Sequence, residues 1–410
     1  MCNTQTQTTF SISISATTTS PEKQPPSPPP HVQLTIDPPI TPNKDTLKLI
    51  KSNIILMIAR SHAGYFRITL SLCMQTLLLK TLGDPPENSH AYRKMLGAIP
   101  GVAFLLMWLL SLIILGTFTI IFILKCALLS HMVKHEYLNH IGINYLFAPS
   151  ISWLLLLQSS PFLALKADYR LILYWVFVLP ILILDVKIYG QWFTTKKRFL
   201  STMANPASQL SVIGNFVGAY AAAGIGWREI AVIMFSLGFI HYVVLFVTLY
   251  QRLSGNSCMP PMLRPVMCLF FGAPSMASLA WGLISGTFDS SSKMLFHLSI
   301  FLFLSLASRP ILFKKSMKKF NMVWWAYSYP LTLLALASIE YAQEMKTNVA
   351  HLLMIVLSGL SVFVSFILMV YTALNTNILS LREGVDDNDD SDMIFMTLSP
   401  NTTNSKTPTC

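Results

Sequence analysis

Charge is scarce in this sequence: Asp, Glu, Lys and Arg make up only 11% of its 410 residues, while 53% are hydrophobic. A soluble domain carries about 25% charged residues, so that class is excluded. Cysteine motifs are missing as well. Cys2, Cys73, Cys126, Cys258, Cys268 and Cys410 are scattered, with no C-x-x-C and no secreted disulfide framework, and are read as reduced. The chain has no phosphate-binding glycine loop and no Walker lysine, and no nucleophile, base and orienting acid can be assembled from its loops. An enzyme is not expected, nor is a cofactor. His131, His135 and His140 with Glu136 do not form H-E-x-x-H and fall in a predicted loop, so no metal site is expected there. The net charge is +11, yet the basic residues flank apolar runs and do not share one face, which argues against nucleic acid as a partner.

What the chain has is long apolar runs. Ten are predicted as membrane-spanning helices, at about 53–80, 101–126, 143–162, 170–190, 205–225, 229–250, 265–286, 293–310, 322–342 and 349–374. They define an all-α membrane domain over 51–375. Residues 1–50 form a Ser-, Thr- and Pro-rich tail without the apolar core of a signal peptide, and 376–410 form an acidic, then polar, tail. Both tails read as disordered. Ser20-Pro21, Ser27-Pro28, Thr41-Pro42 and Ser399-Pro400 in them are candidate sites for a regulatory protein kinase.

An even number of spans puts both tails on one side. Loops on that side hold thirteen Lys and Arg, among them Lys125, Lys187, Lys197 and Lys315, against eight on the other, among them Lys80, Arg228 and Lys293. The positive-inside rule makes the tail side cytosolic. The sequon Asn401-Thr402-Thr403 is then on the wrong side for glycosylation.

Pro149, Pro206, Pro274 and Pro330 recur at intervals of 57, 68 and 56 residues, about one helical hairpin apart. A proline within a membrane helix removes a backbone hydrogen bond that lipid cannot replace. Such breaks persist where the helix faces protein or a water-filled path. Four of the odd spans carry one, and the fifth and seventh are rich in small residues (Gly214, Gly218 and Gly224; Gly272, Ser275 and Gly282). The pattern predicts an inner ring of kinked odd helices around a pathway and an outer ring facing lipid.

Charges inside the spans are few. Asp185 and Lys187 lie near the cytosolic end of the fourth span and Glu340 near the outer end of the ninth. Arg67 lies well inside the first, and must face protein or water. It could attract an anion or be neutralised by a partner.

Several segments resemble the plant slow-type anion channels (the SLAC/SLAH group), kin of the bacterial tellurite-resistance protein TehA. They are Lys187-Ile188-Tyr189-Gly190-Gln191-Trp192, Asn205-Pro206-Ala207-Ser208 leading into Val212–Ala219, His241–Arg252, Ala273-Pro274-Ser275 and Trp324-Trp325-Ala326-Tyr327. The similarity runs over about 60–375. It implies a plasma-membrane anion channel for nitrate and chloride. It also implies a homotrimer, or a heterotrimer with related subunits, each with five helical hairpins in quasi-fivefold symmetry and odd helices lining its own pore. The aromatic that closes the pore falls on Tyr329, before Pro330, where the family has phenylalanine. The first helix has Gly64 in place of a proline, and Arg67 in place of a small glycine. Two alternatives stay open: a weakly conducting modulatory subunit, and a carrier for malate- or sulfite-type anions.

Overall fold

The structure is a computed structural model. It describes residues 55–59, 61–84, 101–139, 141–161, 167–194, 200, 204–254, 261–314, 316–317 and 320–375. Both tails lie outside the described residues, with their Ser-Pro and Thr-Pro pairs and the sequon, as do His140, Lys197 and Lys315.

A helix occupies each of the ten expected segments: α1 (Phe66–Gly83), α2 (Gly101–Leu128), α3 (Phe147–Ser159), α4 (Ala167–Thr194), α5 (Gln209–Ile225), α6 (Arg228–Ser254), α7 (Leu269–Ser285), α8 (Ser290–Ala307), α9 (Trp325–Met345) and α10 (Asn348–Leu374). No strand occurs among the described residues. Each odd helix packs on the even helix that follows it, giving five hairpins. The odd helices also close on one another, α1 on α3, α3 on α5, α5 on α7, α7 on α9 and α9 back on α1. That closed ring of five is the architecture expected.

Burial separates the two shells. Of the apolar windows in the spans Arg264–Ser285 and Met322–Met345, which contain α7 and α9, 78% and 89% is buried. For α2, α4, α6, α8 and α10 the share is 17 to 33%. Ile113, Val186, Ile233, Phe301 and Val349 are among the large apolar side chains these outer helices expose. An apolar helix with an exposed face is suited to lipid.

Among the described residues, seven helices are by themselves long and apolar enough to cross a membrane, and an eighth span results if the bent pair Ser130–Leu138 and Gly142–Ser159 counts as one. The remaining inner helices are short for a physical reason. α1 has 18 residues and α5 has 17, and each is preceded by a three-residue 3-10 turn, Ala63–Tyr65 and Pro206–Ser208. At ~1.5 Å per α-helical and ~2.0 Å per 3-10 residue, each unit extends about 31–33 Å, enough for a hydrocarbon core of about 30 Å.

The prolines divide into two kinds. Pro274 and Pro330 lie inside α7 and α9, as expected. Pro149 sits in the first turn of α3 and Pro206 opens the 3-10 turn before α5, so neither interrupts a helix. The first turn has no intrahelical use for the N–H that proline lacks, which is why an apolar stretch with an early proline looks broken in sequence and is not. The outer helix α4 also contains a proline, Pro180. Near the true breaks, hydroxyls bond to the backbone: Ser71 of α1 donates to Trp325 O (3.0 Å), and Ser299 of α8 to Phe271 O (2.6 Å).

Gly272 lets α7 approach the second break. A Cβ there would stand 3.0 Å from Pro330 Cβ and 3.4 Å from its Cα. A proline ring on a helix backbone cannot swing aside, so Gly272→Ala is expected to cost roughly 1–3 kcal/mol as overpacking. Thermal unfolding of the purified protein measures it, and an unchanged midpoint would show that α7 and α9 slide apart freely.

The stretch expected as a loop after α2 is instead a helix, Ser130–Leu138. Glu136 pairs with Lys125, which also donates to Ser61 O, and Lys187 Nζ donates to Tyr137 O (2.7 Å). These contacts tie the helix beneath the start of α1. Among the described residues no three His, Cys, Asp or Glu side chains converge to hold a metal. Asp185 is buried and accepts from Asn215 Nδ2 (2.8 Å), joining α4 to α5.

Candidate functional site

Four of the inner helices, α1, α3, α5 and α9, enter the ring through a repeated device. His62 Nδ1 accepts from Gly64 N (3.0 Å), Asn139 Oδ1 from Ile141 N (2.9 Å), Asn205 Oδ1 from Ala207 N (2.9 Å) and Asn321 Oδ1 from Val323 N (3.3 Å). In each case a side chain caps the backbone two residues on, where a tight helical turn begins. These turns set the N-terminal ends of the inner helices around one cavity.

That cavity is walled by Arg67 and Leu70 of α1, Tyr145 just ahead of α3, Leu210 of α5, Val266 and Leu269 at the start of α7, and Trp325, Ala326 and Tyr329 of α9. Every hairpin contributes at least one wall. The empty volume is about 280 Å³, counting the part open to solvent. Among the described residues, Arg67 is its one charged wall.

Arg67 is half-buried and held from two sides. Its Nε donates to Gly64 O (2.8 Å), and its guanidinium carbon lies 4.9 Å from the centre of the Tyr145 ring. Among the described residues, no ion pair involves Arg67. Of the two fates open to this residue in sequence, neutralisation by a carboxylate is therefore not what the structure has. The charge is supported by a ring face, worth about 0.5–2 kcal/mol.

Tyr329 is 2% exposed, and among the described residues its hydroxyl has no hydrogen-bond partner. Its ring sits one residue before the Pro330 break, in the helix turn that faces the cavity. The structure thus brings Arg67 and Tyr329 to the same chamber. Gly64, Pro149, Pro206, Pro274 and Pro330 are not among the walls. Gly64 acts locally, since a Cβ there would come within 2.5 Å of His62 Cε1 and 3.1 Å of Arg67 Nη2. Its small size leaves room for both side chains at the turn before α1.

Two features were missed in sequence. Tyr145 and Trp325 form much of the wall, and only their place a few residues from Pro149 and Pro330 hints at it. The other is a polar seam behind the cavity, where Gln75 Oε1 accepts from Thr332 (3.1 Å), Ser361 (3.2 Å) and Ser365 (3.3 Å). Ser328 and Ser365 are joined at 2.7 Å. Such hydroxyl contacts bind membrane helices together. The spacing of Ser361 and Ser365 by four, matched by Ser328 and Thr332, is the signal that could have revealed it.

Comparison with known proteins fits this geometry. The model of the SLAC1 family, described as voltage-dependent anion channel, matches residues 60–373. The chain is 54% identical over 336 residues to the S-type anion channel SLAH1 of Arabidopsis thaliana, covering 81% of this chain and 86% of that protein. It is 52% identical over 334 residues to SLAH4 of the same plant, covering 81% and 89%. To the guard cell S-type anion channel SLAC1 it is 38% identical over 320 residues, covering 78% of this chain and 56% of that longer protein. With five closed hairpins and a match that spans all ten helices, this multi-pass membrane protein belongs to the SLAC/SLAH family of S-type anion channels, a family of channels and not of enzymes.

Proposed function

We propose that this chain is an S-type anion channel subunit of the plasma membrane. It passes nitrate and chloride down their gradients through the ring of α1, α3, α5, α7 and α9. The observation that carries the reading is the cavity at the ring's end, to which all five hairpins contribute and whose one charged wall among the described residues is positive. The family match supports the same substrate class. In this reading Tyr329 is the gate, its ring held across the path by the break at Pro330. Both tails are cytosolic, and subunits assemble as trimers, alone or with relatives.

One observation favours a second role. Arg67 occupies the cavity where the resemblance implies a small residue, so the path is narrowed and its anion well deepened. Channels need sites weak enough for an ion to leave. A subunit built this way conducts weakly alone and modulates a mixed trimer. Expression of the chain alone, and then with a conducting S-type relative, separates the two roles. Changed gating or selectivity only in the mixture supports modulation, and full currents from the chain alone exclude it.

Orientation has its own test. Sequons inserted near Gly226 or Ser291, extended enough to reach the transferase, are expected to be glycosylated, and ones near Lys197 or Lys315 are not. Modification at Lys197 would invert the topology.

A further inference from the structure

Two walls of the cavity, Arg67 and Tyr145, lean on each other, and both are fixed to the short helix Ser130–Leu138 by separate routes. The first route runs through charge. Glu136 of that helix pairs with Lys125 at the end of α2, and Lys125 also donates to Ser61 O. Ser61 precedes His62, whose Nδ1 accepts from Gly64 N, and Gly64 O in turn accepts from Arg67 Nε. The second route runs through backbone. Asn139, just past the helix, accepts on Oδ1 from Ile141 N (2.9 Å) and Gly142 N (3.3 Å), which starts the turn Gly142–Tyr145. Gly142 lies so close to the helix that a Cβ there would stand 2.9 Å from Glu136 O. Residue 136 thus meets the first route with its side chain and the second with its backbone.

We propose that the helix Ser130–Leu138 is a clamp on the cavity, with Lys125 and Glu136 as the positioning residues that set where Arg67 and Tyr145 stand. Lys125 is 1% exposed and Glu136 9%, and among the described residues neither joins another ion pair. Such a pair is close to all-or-nothing: intact, it is strengthened by low-dielectric surroundings, and with one partner neutralised the other is left buried and uncompensated. Closed, the clamp holds the entry turn of α1 and the turn before α3 in one arrangement, and these two turns also pack on each other. Open, it frees both together. The opposite face of the helix carries His131, Lys134 and Leu138, all exposed, so the helix can shift without unpacking a second buried face. The consequence for conduction rests on the channel reading, whereas the coupling of the two turns does not.

Amide hydrogen exchange on the full-length protein in lipid nanodiscs tests the clamp. Glu136→Gln and Lys125→Met are each expected to speed exchange about tenfold in both 61–67 and 141–147, and to leave the distant turn around Gly226 unchanged. Gly142→Ala keeps the ion pair's residues but crowds Glu136 O, and is expected to loosen the same two segments. Lys125→Arg keeps charge and donors, and is expected to stay within about threefold of wild type. Loosening of one segment alone, of the whole protein, or of neither would overturn the clamp. In currents, Glu136→Gln is expected to change single-subunit conductance at least about twofold in the wild type and not in Arg67→Gly, where no guanidinium is left to position. Equal changes in both backgrounds would overturn the positioning role. Uncoupled exchange beside intact anion currents removes the clamp and leaves the channel reading standing, whereas coupled exchange without anion current in any variant removes the channel reading and leaves the clamp.

Discussion

Tyr329→Ala is expected to raise basal anion current about ten- to a hundredfold per protein at the cell surface. Burying an aromatic ring of this size is worth about 1.5–3 kcal/mol, and under the proposed gating role that energy holds the ring across the path in the closed state. At 1.4 kcal/mol for each tenfold change, removing the ring shifts the closed–open balance by the stated range. The ring is 2% exposed and faces the chamber shared by all five hairpins. Truncating a core aromatic also costs about 3–5 kcal/mol of stability, so surface protein must be counted alongside current. Tyr329→Phe separates ring from hydroxyl: it keeps the occlusion and is expected to stay closed. Well-folded Tyr329→Ala with unchanged current, in a background where relatives are active, would mean that the ring packs between helices and gates nothing.

Arg67→Gly is expected to raise the conductance of a single subunit several-fold. A unit charge pair ~4 Å apart is worth about 4 kcal/mol at an effective dielectric near 20. An anion beside an unneutralised guanidinium therefore sits in a deep well, and exit becomes slow. The side chain also forms part of the chamber's wall. Glycine removes the charge and the bulk together, at a cost of about 1 kcal/mol in helix propensity. Arg67→Met, similar in length but neutral, tells the two apart: if charge dominates it conducts like the glycine variant, and if bulk dominates it conducts like the wild type. Normal trafficking with the same current and anion preference in both would assign Arg67 a structural role in holding Tyr145.

Much of this architecture was legible in the residues. α7 announced itself through Pro274 and a run of small side chains and α9 through Pro330, and those two helices are the most buried of the apolar spans. Arg67 stood out because charge within an apolar run is rare, and the structure puts it on the cavity wall. Pro149 and Pro206 misled, because a sequence does not say whether a proline falls in the first turn or beyond it. The closure of α9 onto α1 depends on contacts about 250 residues apart, such as Ser71 with Trp325, for which no local pattern exists. The same holds for Lys125 and Glu136, which meet only once Ser130–Leu138 folds as a helix and turns back under α2. Tyr145 was passed over because its environment is ordinary in sequence, and its role arises from the guanidinium that another helix lays over its ring.

Reversal potentials test most directly whether the ring of five inner helices carries anions. Membranes containing Tyr329→Ala, bathed in asymmetric nitrate or chloride with potassium varied independently, are expected to reverse at potentials that follow the anion gradient and ignore potassium. Currents that follow potassium, or that are indistinguishable from membranes lacking the protein when the variant is at the surface beside a conducting relative, would contradict anion passage through the ring.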